Sequence, residues 1–150
     1  MPVVLDTTVL ASMAVSHPDS KLSSIANYWM QKYFQVYISD HIITELERTF
    51  KKPYFSDRLP SEEAKAYINR VLSNSIKQEV TTVVDREKIK SIYWRDINAE
   101  DDQILATAVD ANAKYLVTGD KSLAALWSYD NILIVSPTDF LEVLENKYLI

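Results

Sequence analysis

A chain of 150 residues, 47% of them hydrophobic and 25% charged, has the balance of one globular domain, so a single unit over 1–150 is expected. The absence of cysteine excludes disulfides, thiolate metal sites and cysteine nucleophiles, while no membrane-length apolar run or signal-peptide pattern stands against a cytoplasmic location. A formal charge of −5 argues against a sequence-indifferent coat on nucleic acid but leaves open a local, metal-mediated phosphate site, because a bound cation offsets clustered acids.

The chain opens with an apolar run over 3–5, the pattern of a strand covered on both faces. Leu22, Ile25, Trp29 and Met30 then recur at helical spacing, and a second β-branched run follows over 36–39. Ile42, Leu46 and Phe50 make another helical stripe. Residues 51–60, with Pro53 and Pro60, are the least regular stretch and read as a loop between helices. Ser61, ahead of Glu62 and Glu63, is placed to cap a helix carrying Tyr67, Ile68, Val71 and Leu72. A third strand is expected over 80–84. Ile104, Leu105, Ala108 and Val109 form a further helical stripe, with Asn98 and Asp101 spaced as its capping pair. Runs over 115–118 and 132–135 supply the last two strands, with a short helix over 121–127 between them. Ser136 to Asp139 reads as a capping box with Pro137 at the first helical position, opening a helix that carries Phe140, Leu141, Leu144 and Tyr148. Strands alternating with helices predict an α/β fold on a mostly parallel, five-stranded sheet, whose ligands bind beyond the carboxyl ends of the strands.

Four acids fall at or beside these apolar elements: Asp6, Glu45, Asp102 and Asp120. Each has a structural explanation. Asp6 and Asp120 could cap the helices that follow them, Glu45 could be a surface residue at the margin of its stripe, and Asp102 could favour a helix N-terminus through the backbone dipole. Asp101 is accounted for as the capping-box acid. Taken together the four are harder to explain away. Two like charges about 4 Å apart repel by roughly 4 kcal/mol at an effective dielectric near 20, so convergence requires protonation or a cation. All-oxygen donors favour Mg²⁺ or Mn²⁺. Gly119, the only glycine, stands just before Asp120, where a positive φ or the close approach of a ligand would call for it.

These residues carry a resemblance. Val4-Leu5-Asp6-Thr7-Thr8-Val9-Leu10 resembles the first motif of PIN domains, and Glu45 within Ser39–Leu46 is similar to the second. Asp102-Gln103-Ile104-Leu105-Ala106-Thr107-Ala108 resembles the third, and Tyr115-Leu116-Val117-Thr118-Gly119-Asp120-Lys121 the fourth. The resemblance implies a PIN-like three-layer α/β/α fold and a metal-dependent ribonuclease, of the kind that serves as the toxin of a toxin–antitoxin pair. It also implies a cognate antitoxin and a homodimer. Carried over, Asp6, Glu45, Asp102 and Asp120 form the acidic metal site for Mg²⁺ or Mn²⁺, with Asp6 and Asp102 as direct ligands and Thr118 in support. Thr8 stands where the family often has asparagine or serine, and its hydroxyl retains the ability to donate to a carboxylate.

Arg48, Lys51, Lys52, Arg95 and Lys121 lie near the motifs and are candidates to hold RNA phosphates; solvated surface charge is the plainer reading of each. Of the tryptophans, Trp29 and Trp127 fall in apolar helical patterns and are expected in the core, with Trp94 a further stacking candidate. His17 and His41 lack a zinc spacing, and His41 reads as a helix-end residue. Two rival folds fit poorly. A phosphotransfer receiver wants paired acids after an early strand, and a haloacid-dehalogenase-like hydrolase wants an aspartate where Thr8 stands. A PIN-like module that binds RNA or protein with little catalysis remains the alternative.

Overall fold

A computed structural model describes residues 1–85 and 99–148. Trp94, Arg95 and Asn98 lie outside the described residues. Strand β1 (Pro2–Leu5) is the centre of the sheet, with β2 (Gln35–Ile38) on one side and β4 (Tyr115–Val117) on the other, both parallel to it. Outside them run β3 (Ser75–Lys77), parallel to β2, and β6 (Ile132–Val135), parallel to β4, with a short antiparallel edge strand, β5 (Ser128–Tyr129). The order is β3-β2-β1-β4-β6-β5. Val3, Val4 and Leu5, and all three residues of β4, are buried. Successive strand residues point to opposite faces, so the centre of the sheet is covered on both sides, as its unbroken apolar runs predict.

The covering comes from helices α1 (Thr7–Ala14), α2 (Lys21–Met30), α3 (Asp40–Phe50), α5 (Ser61–Ser73), α6 (Ala99–Asp110) and α8 (Pro137–Tyr148), with single turns α4 (Pro53–Ser56) and α7 (Lys121–Ala124). Helix α6 packs on β1, β2 and β4, while α8 lies on β6 beside α2. The caps are local chemistry. Ser20 and Ser39 accept from the backbone of Ser23 and Ile42, and the predicted box at α8 forms, the Asp139 N–H donating to Ser136 Oγ at 3.1 Å. Among the described residues, no helix is long and apolar enough to cross a membrane.

Several expectations are corrected. Among the described residues the sheet has six strands, not five, and residues 80–84 are not among them. The backbone N–H groups of Thr81 and Thr82 donate to the Asp110 carboxylate at the end of α6, as does the Thr82 hydroxyl. A side chain thus satisfies donors that a ladder would have used. The strand beside β2 is instead Ser-Ile-Lys, short and largely exposed, with little apolar signal. β5 escapes pattern reading because two residues are too few to show a period; its hairpin turn is marked by positive φ at Asp130 (46°) and Asn131 (67°), the type I′ geometry those residues tolerate. Pro53 starts a helical turn within the expected loop, and Pro60, not Ser61, is the N-cap of α5. The short helix over 121–127 ends at Ala124.

Candidate active site at the carboxyl ends of β1 and β4

From β1 the chain proceeds to β2 on one side, and from β4 to β6 on the other, so the strand order reverses between β1 and β4. Such a switch point leaves a crevice beyond the strand ends. Asp6 immediately follows β1, its N–H donating to Val117 O at 2.9 Å, and Thr118 to Asp120 follow β4.

Asp6 is 5% exposed and stands at the N-cap position of α1, with the Thr7 and Thr8 amides beside its carboxyl. Its Oδ2 accepts the Thr118 hydroxyl at 2.7 Å; the same hydroxyl accepts the Asp120 N–H at 3.0 Å. Thr118 is fully buried and locks the two acidic segments together. Asp120 Oδ1 in turn caps α7 by accepting the Ser122 N–H at 2.9 Å. Burial pushes the Asp6 carboxyl above its ordinary value, and the charge on Asp120 adds to the rise, against hydrogen bonds from Thr118 and the Thr7 and Thr8 amides.

Asp6 and Asp120 border a cavity of about 160 Å³ that is also lined by Glu45 of α3 and Asp101 of α6. Glu45 is 15% exposed at its side chain and is gripped by Arg48, Nη1 to Oε1 2.6 Å. Asp102, the third member of the expected quartet, is half-buried and is not among the residues lining this cavity; its neighbour Asp101 is. Asp101 is 6% exposed and lies three residues before Ile104, which lines the same cavity, so the two share one helical face. Asp102 shares its face with Leu105 and Ala106, which are packed elsewhere. Spacing alone does not separate the two acids, because Asp101 stands three residues before buried Ile104 and Asp102 three before buried Leu105.

Other sequence assignments divide. Thr8 is exposed at the rim of the cavity, and the hydroxyl bonded to Asp6 is that of Thr118, not Thr8. Lys52 lines the acidic cavity, whereas Lys51 lines a separate groove with Glu47 and Phe50. Lys121 is exposed on α7. Gly119 has no positive φ. Trp29 is core as expected, its Nε1 donating to Asn74 O at 3.1 Å, but Trp127 is 79% exposed. The backbone at Trp127 turns through φ 65° once α7 has ended, which directs it away from the helical stripe. Two wall residues went unrecognised as such. Thr7 Oγ1 and His41 Nε2 are buried at the cavity without hydrogen-bond partners, polar atoms that a folded protein rarely leaves so.

The donors at the cavity are mainly carboxylate oxygens, the kind a hard divalent cation takes, with the His41 imidazole and the Thr7 hydroxyl beside them. Among the described residues no group of three or more acidic or imidazole side chains is drawn together closely enough to hold a metal ion. Asp6, Glu45, Asp101 and Asp120 line one cavity, and their oxygen donors are of the kind a hard divalent cation takes.

Residues 2–122 match the PIN domain family. No curated protein matches the sequence. Among solved structures, PAE2754 from Pyrobaculum aerophilum is similar with a TM-score of 0.65 and 17% identity, over 97% of this chain and 90% of that one. VapBC2 from Rickettsia felis, bound to a DNA fragment from their promoter, gives 0.61 at 20% identity, over 91% and 98%. Mycobacterium tuberculosis VapC20, a sarcin–ricin loop cleaving toxin, gives 0.55 at 16%, over 87% and 98%. At these identities the likeness shows the fold.

Proposed function

Because this chain belongs to the PIN domain family, we propose that it is a metal-dependent ribonuclease and the toxin of a toxin–antitoxin pair. The observation that carries the reading is the convergence of Asp6, Glu45, Asp101 and Asp120 on one cavity at the switch point of the sheet. These four would hold Mg²⁺ or Mn²⁺, with Asp101 taking the place that sequence matching assigned to Asp102. When bound, the ion supplies an acidified water and charge stabilisation at the phosphate.

The chain's own residues position this chemistry. Thr118 fixes Asp6 against Asp120, so two of the acids keep their places while substrate enters. Arg48 holds Glu45 from the solvent side. Lys52, on the cavity wall, offers a cation to a phosphate oxygen. The toxin role is supported by the fold shared with VapC20, and an antitoxin partner by the fold shared with VapBC2; a homodimer is part of the proposal on the motif resemblance alone. A cytoplasmic location follows from that role.

The decisive experiment compares RNA cleavage with Mg²⁺ or Mn²⁺ by the native chain, Asp101→Asn and Asp102→Asn. Loss of about a hundredfold or more is expected for Asp101→Asn, and a much smaller change for Asp102→Asn. No cleavage by the native chain across varied RNAs would leave the binding-module reading. The reverse order of the two variants would restore Asp102 to the site.

A further inference from the structure

A second cavity, of about 480 Å³, opens directly beside the acidic one and shares Thr8 and Asp120 with it. Its volume lies in the range of sites for small organic ligands, roughly 300–1,000 Å³. Thr8 and Ser12, one turn apart on α1, contribute hydroxyl-bearing residues to the lining, and half-buried Leu22 of α2 and Pro137 of α8 contribute apolar surface. At the outer rim, the Lys21 ammonium donates to the Thr138 hydroxyl at 3.3 Å, next to Leu22 and Pro137. Among the described residues Lys21 forms no ion pair.

Gly119 completes the lining. It is the only glycine of the chain, yet neither reason internal to the protein requires one there. Its φ is not positive, and a Cβ added to it would meet no atom within 4 Å. Glycine also leaves the unfolded chain with extra entropy, so the position carries a cost without a structural return. What remains is the third use of glycine, leaving space for a ligand to approach the backbone closely.

We infer that this cavity binds the nucleoside adjacent to the scissile phosphodiester. In this arrangement, which rests on the nuclease reading, the cleaved phosphate lies at the acids. The neighbouring ribose and base lie along the α1 hydroxyls and the Leu22–Pro137 surface, close against Gly119, and Lys21 meets the next phosphate. The ligand class is single-stranded RNA, because a base held in a cavity is unpaired.

The test measures binding of a short, fluorescein-labelled, mixed-sequence single-stranded RNA by anisotropy, with Ca²⁺ replacing Mg²⁺ and the RNA checked for intactness afterwards. Gly119→Ala has room for its methyl group, so it is expected to melt no lower than the native chain yet to bind at least tenfold more weakly. Lys21→Gln is expected to lose affinity several-fold and to reduce the slope of log K against log salt by about 0.7, the release of one counterion from a single strand. Native affinity and native salt slope in both variants, with the native chain still binding and cleaving RNA, overturn the subsite and leave the nuclease reading intact. A native chain that neither binds nor cleaves RNA overturns both. If Gly119→Ala fails to fold, the salt slope of Lys21→Gln decides alone, an unchanged slope counting against the subsite.

Discussion

At the scale of single residues, Thr118 is the part of the site whose removal is most informative. Its hydroxyl donates to Asp6 and accepts from the Asp120 backbone, so replacing it leaves two buried polar groups short of a partner. Thr118→Val keeps the shape. It is expected to cost about 1–3 kcal/mol in denaturant unfolding and to lower cleavage by more than tenfold; full activity in a destabilised variant would mean the bridge is structural only. Asp6 itself makes folding pH-dependent. Burial raises its pKa above the ordinary 3.8, so in metal-free protein its contribution is complete below that value and is lost as pH rises through the raised folded value. Asp6→Asn is therefore expected to be more stable than the native chain at neutral pH in chelator, with less decline over that window. Parallel stability–pH curves for the two proteins would remove burial of Asp6 as the source.

Among elements, α6 shows how one helix serves three purposes. Its first turn presents Asp101 to the cavity, its middle packs Ile104, Leu105 and Ala108 into the core, and its end uses Asp110 to hold Thr81 and Thr82. Burial pushes the Asp110 carboxyl up, but the Thr82 hydroxyl and the Thr82 and Thr81 amides outweigh it and hold the group below its ordinary value. The clamp is thus present above 3.8 and is lost as pH falls through the lowered folded pKa. Asp110→Asn is expected to accelerate amide hydrogen exchange at Thr81 and Thr82 at neutral pH while barely moving the melting temperature, since the group is near solvent. Unchanged exchange at both amides would show that the clamp does not order the segment.

For the whole molecule, the sheet's switch point brings together acids from β1, α3, α6 and the β4–α7 junction, elements distant in the chain. Mutual repulsion among them is relieved by a cation, so Mg²⁺ or Mn²⁺ should stabilise the fold. At a hundredfold excess over Kd the gain is about 2.7 kcal/mol, read as a rise in melting temperature that Asp101→Asn reduces or abolishes. Equal shifts in both proteins would place the ion elsewhere.

The sequence by itself determined the α/β class, the central parallel strands, the motif order and three of the four cavity acids, because burial on both faces leaves long apolar runs and each motif sits at an element end. It could not decide between Asp101 and Asp102, since adjacent helical residues differ only by about 100° of rotation, and what fixes that rotation is packing against the sheet. Nor could it find β3 and β5, which are held by neighbours more than by pattern, or see that residues 81 and 82 bond to a carboxylate and not to a strand. Trp127 and Gly119 carry the same lesson. Whether a ring is core or surface, and whether a glycine serves the backbone or leaves a cavity open, depends on atoms far away in the chain, and only the tertiary structure brings those atoms into contact.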